Sequence, residues 1–392
     1  MQRLLALGAL IVALTSVSTA AMSAVSPESP SGHPTSSSAA RPAATRQPPR
    51  RARNARKRRA TSSRPRPPQG RAGRRRQARG PATIALAGDV HAEAPIRGLL
   101  DRGANPLARI ADHLRRADLA MVNVETAVSR RGTPAAKSFV FRAPDSLWRA
   151  LAAAGVDVVT LANNHSLDYG PLALADTIRG ARRAGLAVVG AGRDPSEAYA
   201  PAVVEHDGRT VAFVGLSRVL PSPAWEAGGG RPGVASAFNE RLALASVRAA
   251  ARSSDRVVVS IHWGEELHRC PSGVQQALAA RLVAAGADVV AGHHPHVLQG
   301  ISRRANALIG YSLGNFAFYA RDEVTRSTGV LTAAIPARGR VGYEFEPARI
   351  GAEGGPGPLR PRERQRRLEQ LAAQAPGAGR CARARSSDDG GR

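Results

Sequence analysis

Short aliphatic runs alternate with segments of helical periodicity over residues 83–311, and this alternation constrains the fold more than any other feature of the chain. Runs of four to eight apolar residues indicate buried strands, and apolar residues at three- and four-residue spacing indicate the helices between them. The predicted strands are residues 83–87, 119–124, 156–161, 187–190, 210–216, 256–261, 288–291 and 307–311. The predicted helices are residues 106–117, 146–154, 172–184, 240–251 and 272–285. The pattern is typical of an α/β domain.

Two further runs, residues 329–336 and 340–350, predict late antiparallel strands, so the folded domain is expected to cover residues 81–350. A domain of about 270 residues is near the upper size for one hydrophobic core. Only 4% of the chain is aromatic, and Ala, Val and Leu supply most of the apolar residues. We therefore expect one core with an aliphatic interior.

Residue types that bind metals follow five of the predicted strands. They are Asp89 and His91, Asn123 and Glu125, Asn163, Asn164, His165 and Asp168, His262, Glu265 and Glu266, and His293, His294 and His296. In an open α/β sheet the binding crevice forms outside the carboxyl ends of the strands. Carboxylates, amide oxygens and imidazoles together suit divalent Mn, Fe or Zn. A glutamate between two cations about 3.5–4 Å apart would bridge them, and such a pair clamps a phosphate.

A purely structural interpretation exists for each of these residues. Asp89 and Glu125 are suitable caps for helices, Asn163 and Asn164 are suitable turn residues, and histidines satisfy buried polar groups. That interpretation must hold separately at all five strand ends. We therefore favour a metal site.

Residues 1–24 resemble a secretory signal peptide. Arg3 precedes a largely apolar stretch of 14 residues, and the small residues at 18–20 or 22–24 offer a cleavage site. A bilayer span needs roughly 20 residues, so the apolar stretch is short for one. We expect an exported protein, either extracellular or attached to the cell wall or membrane. An uncleaved anchor that extends through Ala24 is the alternative.

Residues 25–80 contain sixteen basic residues and one acid, Glu28, among Ser, Pro and Ala. This composition predicts a disordered linker, because so few apolar residues cannot offset the chain entropy lost on folding. We expect its charge to attract anionic envelope polymers or lipid headgroups, and we do not expect nucleic acid as the partner of an exported chain. A solvated spacer is the alternative, since a bias toward Arg is evident: Lys57 and Lys137 are the only lysines. Residues 351–392 predict a disordered basic tail.

Cys270 and Cys381 do not make a disulfide framework. The favoured interpretation of Cys270 is an ordinary loop thiol. Its position near His262 and His268 leaves metal binding open. Pairing with Cys381 in an oxidising compartment is also left open.

Four long motifs resemble those of the capsule-synthesis CapA family. They are LANNHSLDYG at residues 161–170, HWGEE at 262–266, GHHPHVLQ at 292–299 and YSLGNF at 311–316. GDV at residues 88–90 and NVE at 123–125 fit two earlier motifs of the family, in order. The resemblance covers residues 83–335, and four long motifs in sequence make it specific.

That family resembles the calcineurin-like metallophosphoesterases and is linked to the synthesis or export of poly-γ-glutamate capsule. The resemblance implies a sandwich of two mixed β-sheets flanked by helices, with a two-metal site. Position by position, it implies metal ligation by Asp89, His91, Glu125, Asn164, His262, His294 and His296. Glu125 stands where a metallophosphoesterase has its bridging aspartate. His293 is released to a supporting role.

The same motifs imply the residues that meet the substrate. Asn163 replaces a glycine of the phosphatase motif, and with Glu266 and Asn315 it forms the expected substrate-binding set. Leu267 stands where the family usually has Tyr. His165, oriented by Asp168, is expected to act as general acid to the leaving group.

The function that follows is hydrolysis of a phosphoester or amide-like bond by two divalent cations, Mn, Fe or Zn, during capsule polymer synthesis or export. The expected partners are an anionic envelope polymer or a phosphoester substrate, and a capsule synthesis or export complex at the membrane. The alternative is a subunit of such a complex that binds polymer without catalysis.

Overall fold

A computed structural model of the protein describes residues 81–382. Its strands are β1 (Ala82–Val90), β2 (Leu119–Val124), β3 (Ala127–Val128), β4 (Arg142–Ala143), β5 (Val158–Thr160), β6 (Ala187–Val189), β7 (Ala191–Gly192), β8 (Ala202–His206), β9 (Arg209–Ser217), β10 (Gly233–Val234), β11 (Arg256–His262), β12 (Val289–His293), β13 (Leu298–Arg304), β14 (Ala307–Leu313), β15 (Asn315–Ala317), β16 (Ser327–Ile335), β17 (Gly342–Ile350) and β18 (Pro356–Pro358). Its α-helices are α1 (Ile96–Asp101), α2 (Ala111–Arg115), α3 (Ser146–Ala153), α4 (Gly170–Arg183), α5 (Pro195–Ala198), α6 (Glu240–Ser253), α7 (Gly273–Ala284), α8 (Pro361–Ala372) and α9 (Gly379–Ala382). A 3₁₀ turn covers Pro223–Trp225.

Most strands belong to two mixed sheets. The first has the order β18-β17-β16-β1-β2-β5-β6, with β15 paired to β1, and the second has the order β13-β14-β12-β11-β9-β8. In the first sheet β1, β2, β5 and β6 run parallel, and in the second β9, β11, β12 and β14 run parallel. The α/β class and the two mixed sheets are therefore confirmed.

Each sheet is buried on both faces, which explains the continuous apolar runs in the sequence. Along β1, Ile84 and Leu86 join a core cluster that also contains Phe213 and Val258 of the second sheet. The alternate residues of β1 pack in a different cluster, with α1 to α4. The outer face of the second sheet packs against α6 and α7. The result is a sandwich of two sheets between layers of helices.

The predicted elements all appear, with one notable difference in extent. The helix predicted over residues 106–117 is regular only in α2, and residues 107–110 form turns. The side chain of Asn105 accepts a hydrogen bond from the backbone N–H of Leu107 at 2.9 Å. Such local bonds of Asn favour a turn over a helix.

The C-terminal segment differs from the prediction of a disordered tail. Residues 356–358 add strand β18 to the first sheet, and α8 packs its Leu368 and Leu371 against the core between the sheets. Cys381 forms a disulfide with Cys270 across 111 residues of sequence. The prediction is therefore wrong for residues 351–382, because two leucines and a covalent link fix a segment that is otherwise rich in Gly, Pro and Arg. The interpretation of Cys270 as a free thiol is also wrong.

The predicted signal at residues 1–24, the predicted linker at 25–80 and tail residues 383–392 lie outside the described residues. Within the described residues, none of the helices has the length and apolar character that crossing a membrane requires.

Candidate metal centre

The carboxyl ends of strands from both sheets meet at one edge of the sandwich. Asp89 lies near the end of β1, beside Asn123 of β2 in register, and His262 and His293 are register neighbours at the ends of β11 and β12. The Oδ1 atom of Asp89 lies 3.0 Å from Nδ1 of His293, which joins the two sheets. The parallel strands therefore deliver these side chains to one place.

A strained turn follows β12 and carries the next two histidines. His294 has a φ of 95° and His296 a φ of 57°, both in the left-handed region that residues other than glycine rarely adopt. Asn315 of β15 holds the turn, with its Oδ1 2.9 Å from Nδ1 of His296. Gly292 is required just before it, because a Cβ there would lie 1.9 Å from the carbonyl oxygen of Tyr311. Strain of this kind concentrates at functional sites.

Two groups of candidate ligands lie here and share one carboxylate. Asp89, Glu125 and His262 form the first group, and Glu125, His294 and His296 form the second; within each, the ligand atoms lie within 4.8 Å of one another. Asn164 lies beside the first group, with its Oδ1 2.8 Å from Nε2 of His262. The two candidate groups therefore meet at the carboxylate of Glu125.

The hydrogen bonding of these side chains fits a bound cation. Among the described residues, Glu125 Oε1, His293 Nε2 and His294 Nδ1 are buried atoms without a hydrogen-bond partner. Leaving a buried polar atom unpaired costs about 1–3 kcal/mol, and folded proteins rarely do so. Two of these atoms, on Glu125 and His294, belong to the ligand groups, which indicates that those residues fit metal ions.

Burial and charge shift the two carboxyl groups in opposite directions. Burial raises the pKa of Asp89, but hydrogen bonds to His293 and His296 outweigh it and hold this pKa well below its usual range. Burial raises the pKa of Glu125 well above its usual range, and the charge of Asp89 adds to the effect. A cation between them would favour the ionised form of Glu125.

The imidazoles also differ from one another. Burial lowers the pKa of His262 well below its usual range and that of His294 to about 3, and neighbouring histidines add to both shifts. Burial alone would lower the pKa of His296, but Glu125 and Asp89 raise it to about 9. Neutral imidazoles are the form that binds metals.

His165 lies beside this centre and is held by a buried carboxylate. Its Nδ1 lies 2.7 Å from Oδ2 of Asp168, and its Nε2 lies 4.0 Å from Oε1 of Glu125. The ring stacks on Phe141 at 4.0 Å between centroids. Its pKa is lowered, mainly by burial, and Asp168 opposes the shift. The geometry leaves Nε2 directed at the centre, as a proton donor there requires.

Lys137 is a site residue that the motifs do not predict. Its Nζ lies 2.6 Å from Oδ1 of Asp168 and 3.3 Å from Nδ1 of His165, and it donates a hydrogen bond to the backbone carbonyl of Asn164. One signal was present in the sequence: a lysine stands here in a chain that otherwise uses arginine, with Lys57 the only other case.

The structure does not bring His91 into either ligand group. Its Nε2 accepts a hydrogen bond from the backbone N–H of Tyr319 at 2.9 Å, and its Nδ1 lies 3.2 Å from the backbone nitrogen of Glu93. The ring packs against Phe141 and Phe318, with centroids 4.9 and 3.8 Å away. Because both ring nitrogens face backbone amides, His91 does not point a nitrogen at the ligand groups and instead packs beside them.

The expected substrate-binding residues have different positions. Asn163 is fully buried, and its amide donates to Asn123 and Val124 and accepts from His165 and Ser166. It therefore fastens the loop after β5 to β2 and does not face the substrate. Asn315 lines a cleft beside His165 and His296, but its side chain is hydrogen-bonded to His296 and Thr325. Glu266 is exposed and lines the same cleft.

A cleft of about 280 Å³ opens onto the centre. His165 and His296 form its inner wall, and Glu266 lies on its rim. A substrate that enters this cleft would reach the proposed general acid and the second ligand group together.

Comparison with known proteins identifies the family of this chain. A family model described as "Bacterial capsule synthesis protein PGA_cap" matches residues 83–320. "Capsule biosynthesis protein CapA" of Bacillus anthracis is 32% identical over 287 residues, which cover 71% of this chain and 69% of that protein. "PGA biosynthesis protein CapA" of Bacillus subtilis (strain 168) is 34% identical over 204 residues, 52% of this chain and 53% of that protein.

Among solved structures, TT1561 of Thermus thermophilus aligns with 68% of this chain and 99% of its own, at 11% identity and a TM-score of 0.35. This likeness is too remote to support an inference.

The match to the family model extends from β1 past β15 and includes every ligand named above. The chain therefore belongs to the PGA_cap family of bacterial capsule synthesis proteins.

Proposed function

We propose that this protein is exported and acts in the synthesis or export of an anionic capsule polymer, poly-γ-glutamate, through a two-metal hydrolase site. The observation that carries the proposal is the position of Glu125. Its buried carboxylate belongs to both ligand groups, and its Oε1 lacks a hydrogen-bond partner among the described residues. Family membership supports the polymer, since the two Bacillus relatives are named for capsule and PGA biosynthesis.

Two divalent cations would supply an activated water and polarise the bond under attack. Asp89, Glu125, His262 and Asn164 would hold one, and Glu125, His294 and His296 the other. His293 supports the site by fixing Asp89 from 3.0 Å. The mixture of carboxylate, amide and imidazole ligands suits divalent Mn, Fe or Zn.

The proton for the leaving group comes from His165. In its imidazolium form His165 donates from Nδ1 to Asp168, and its second proton, on Nε2, is available to the leaving group in the cleft where the substrate enters. Because general acids assist most when the leaving group is a poor one, this arrangement suits a phosphoester or an amide. Lys137 pairs with the other carboxylate oxygen of Asp168 and lies 3.3 Å from Nδ1 of His165.

The N-terminal part of the chain fits a protein that works at the cell envelope. Residues 1–24 would direct export, and the sixteen basic residues of 25–80 would attract anionic polymer or lipid headgroups. A capsule synthesis or export complex at the membrane is the proposed setting.

Hydrolysis of bis-p-nitrophenyl phosphate by the purified full chain, supplied with Mn or Zn, tests the proposal. We expect His165→Ala to lose about 10²–10⁴-fold in kcat with a phenyl phosphodiester, whose leaving group needs the general acid, and much less with the p-nitrophenyl ester, with its metal retained. His113→Ala, on α2 outside both ligand groups, is the matched control and should keep full activity. Absence of metal, or metal without hydrolysis of any phosphoester or polyglutamate substrate, would refute the hydrolase.

The second candidate is a polymer-binding or assembly subunit without catalysis. The observation that favours it is the concentration of positive charge in residues 25–80, which binding alone would use. It predicts metal-bound protein that binds polymer and leaves every substrate intact.

A further inference from the structure

The cleft at the metal centre has walls of unusual composition for this chain. The whole sequence holds seven Phe, five Tyr and three Trp. Phe139, Phe141, Phe318 and Tyr319 all line this one cleft, and Leu267 lines it as well. The core is built mostly from aliphatic residues, and four of the fifteen aromatic residues line the cleft where a substrate would enter. We call this site the aromatic cleft.

Two of its wall residues are exposed in a way that folding does not explain. Phe139 is 65% exposed and Leu267 is 59% exposed, whereas Phe141 and Phe318 are buried. Apolar side chains left in water at the mouth of a cleft are typical of a surface that a ligand covers. They form the two lips of the aromatic cleft.

Both lips are fastened to residues of the metal centre. Leu267 has a φ of 63°, a strained value for a leucine, and its N–H donates to the carbonyl of Pro295 at 2.8 Å. Pro295 lies between the two ligands His294 and His296. Phe139 follows two residues after Lys137, which is paired with Asp168. Both lips therefore adjoin segments that contact the metal centre.

Polar side chains lie on the rim of the aromatic cleft, next to the two apolar lips. Arg321, Glu266 and Asp322 lie there, and the carboxylate of Asp322 is occupied by the backbone N–H groups of Val324 and Thr325 at 2.8 and 2.9 Å. Arg321 then offers a cation for a carboxylate, and Glu266 offers an acceptor for an amide N–H. A substrate with apolar segments between carboxylate and amide groups would match all three features.

We infer that Phe139 and Leu267 determine specificity by binding the methylene segment of an anionic chain next to the bond that is cut. A γ-linked glutamate unit has this chemistry, with two methylenes between its amide carbonyl and the carbon that carries the carboxylate. The inference rests on the proposed function for the bond that is cut, but the binding it describes does not require catalysis. Each buried methylene should tighten binding about fourfold.

Calorimetric titration of the full chain with two tetramers tests this inference. One is γ-linked glutamate, and the other is β-linked aspartate, which has the same charges and one methylene fewer in each unit. Since the charges are equal, basic residues 25–80 should bind both tetramers alike, so a difference between the two tetramers reports on the cleft. We expect the glutamate tetramer to bind at least about fourfold more tightly.

The variant Phe139→Ser/Leu267→Asn should bring that ratio close to one, and asparagine tolerates the left-handed backbone of residue 267. An unchanged midpoint in urea unfolding would show that it is folded. The matched control is Phe238→Ser/Leu172→Asn, whose side chains are 57% and 60% exposed outside the cleft, and it should keep the wild-type ratio.

A wild-type ratio near one, failure of both tetramers to bind, or a ratio that survives in the cleft variant would overturn the inference. Phosphodiester hydrolysis measured on the same wild-type sample separates the two proposals. A preserved ratio without hydrolysis would refute the hydrolase and leave the specificity role of Phe139 and Leu267 standing.

Discussion

The ammonium group of Lys137 lies 2.6 Å from Oδ1 of Asp168, whose other carboxylate oxygen lies 2.7 Å from Nδ1 of His165. One buried carboxylate is thus shared between a lysine and the proposed general acid. The Phe141 backbone N–H also donates to Oδ2 at 2.6 Å, so the carboxylate cannot turn away from either partner. The orientation of His165 therefore depends on all three groups.

Replacing Lys137 by Met should weaken catalysis most for substrates with poor leaving groups, because those depend most on the general acid. We expect kcat to fall about tenfold or more with a phenyl phosphodiester and much less with the p-nitrophenyl ester. Lys137→Arg keeps the charge and should recover part of the loss. An equal loss with both substrates would instead indicate a structural role for Lys137.

Glu125→Gln should stabilise the metal-free protein. Burial raises the pKa of Glu125, so the folded state holds this proton more tightly than the unfolded state does, and stability falls as pH rises above the ordinary value of 4.5. In urea unfolding with a chelator, the variant should exceed wild type at about pH 8, and the difference should shrink toward about pH 4.

Adding metal should reverse that order, since only wild type can bind it between the two ligand groups. A metal-free wild type that is as stable as the variant at alkaline pH would contradict the burial of an ionisable Glu125.

The disulfide between Cys270 and Cys381 should contribute substantially to stability. It closes a long loop and fixes α8 and α9 to the segment that follows Leu267 at the cleft. Cys270→Ser/Cys381→Ser should lower the free energy of unfolding by about 2–5 kcal/mol in urea titrations. If the double variant matches oxidised wild type in its unfolding midpoint, the C-terminal segment is not held in this way.

Asn163→Ala should reduce stability and leave substrate affinity almost unchanged. Its buried amide links β2 to the loop that carries His165, and its removal leaves Asn123 and Val124 with unpaired groups. We expect a loss of about 1–3 kcal/mol in the free energy of unfolding. Glu266→Ala, on the exposed rim, should do the reverse and raise KM. A raised KM with normal stability for Asn163→Ala would restore its predicted role as a substrate ligand.

The sequence predicts the sheet and the convergence of ligands because both depend on local patterns. Aliphatic runs with polar residues at their carboxyl ends are sufficient to place Asp89, Glu125 and His262 at one edge. The direction of a side chain depends on contacts with residues distant in the sequence. For this reason His91 fits a ligand motif yet faces the backbone of Tyr319.

Contacts between distant segments were equally hard to predict. The composition of residues 351–382 predicts disorder, and only the disulfide to Cys270 and the packing of Leu371 overrule it. Lys137 belongs to no motif, and its role depends on a loop that folds back over Asp168.

The metal content of the purified full chain tests the central claim most directly. After reconstitution with Mn or Zn, elemental analysis should give two divalent cations per chain for wild type and for His91→Ala, no more than one for His294→Ala, and none for Glu125→Ala. A wild-type content of one or zero, or two cations retained in Glu125→Ala, would contradict a two-metal centre that shares Glu125.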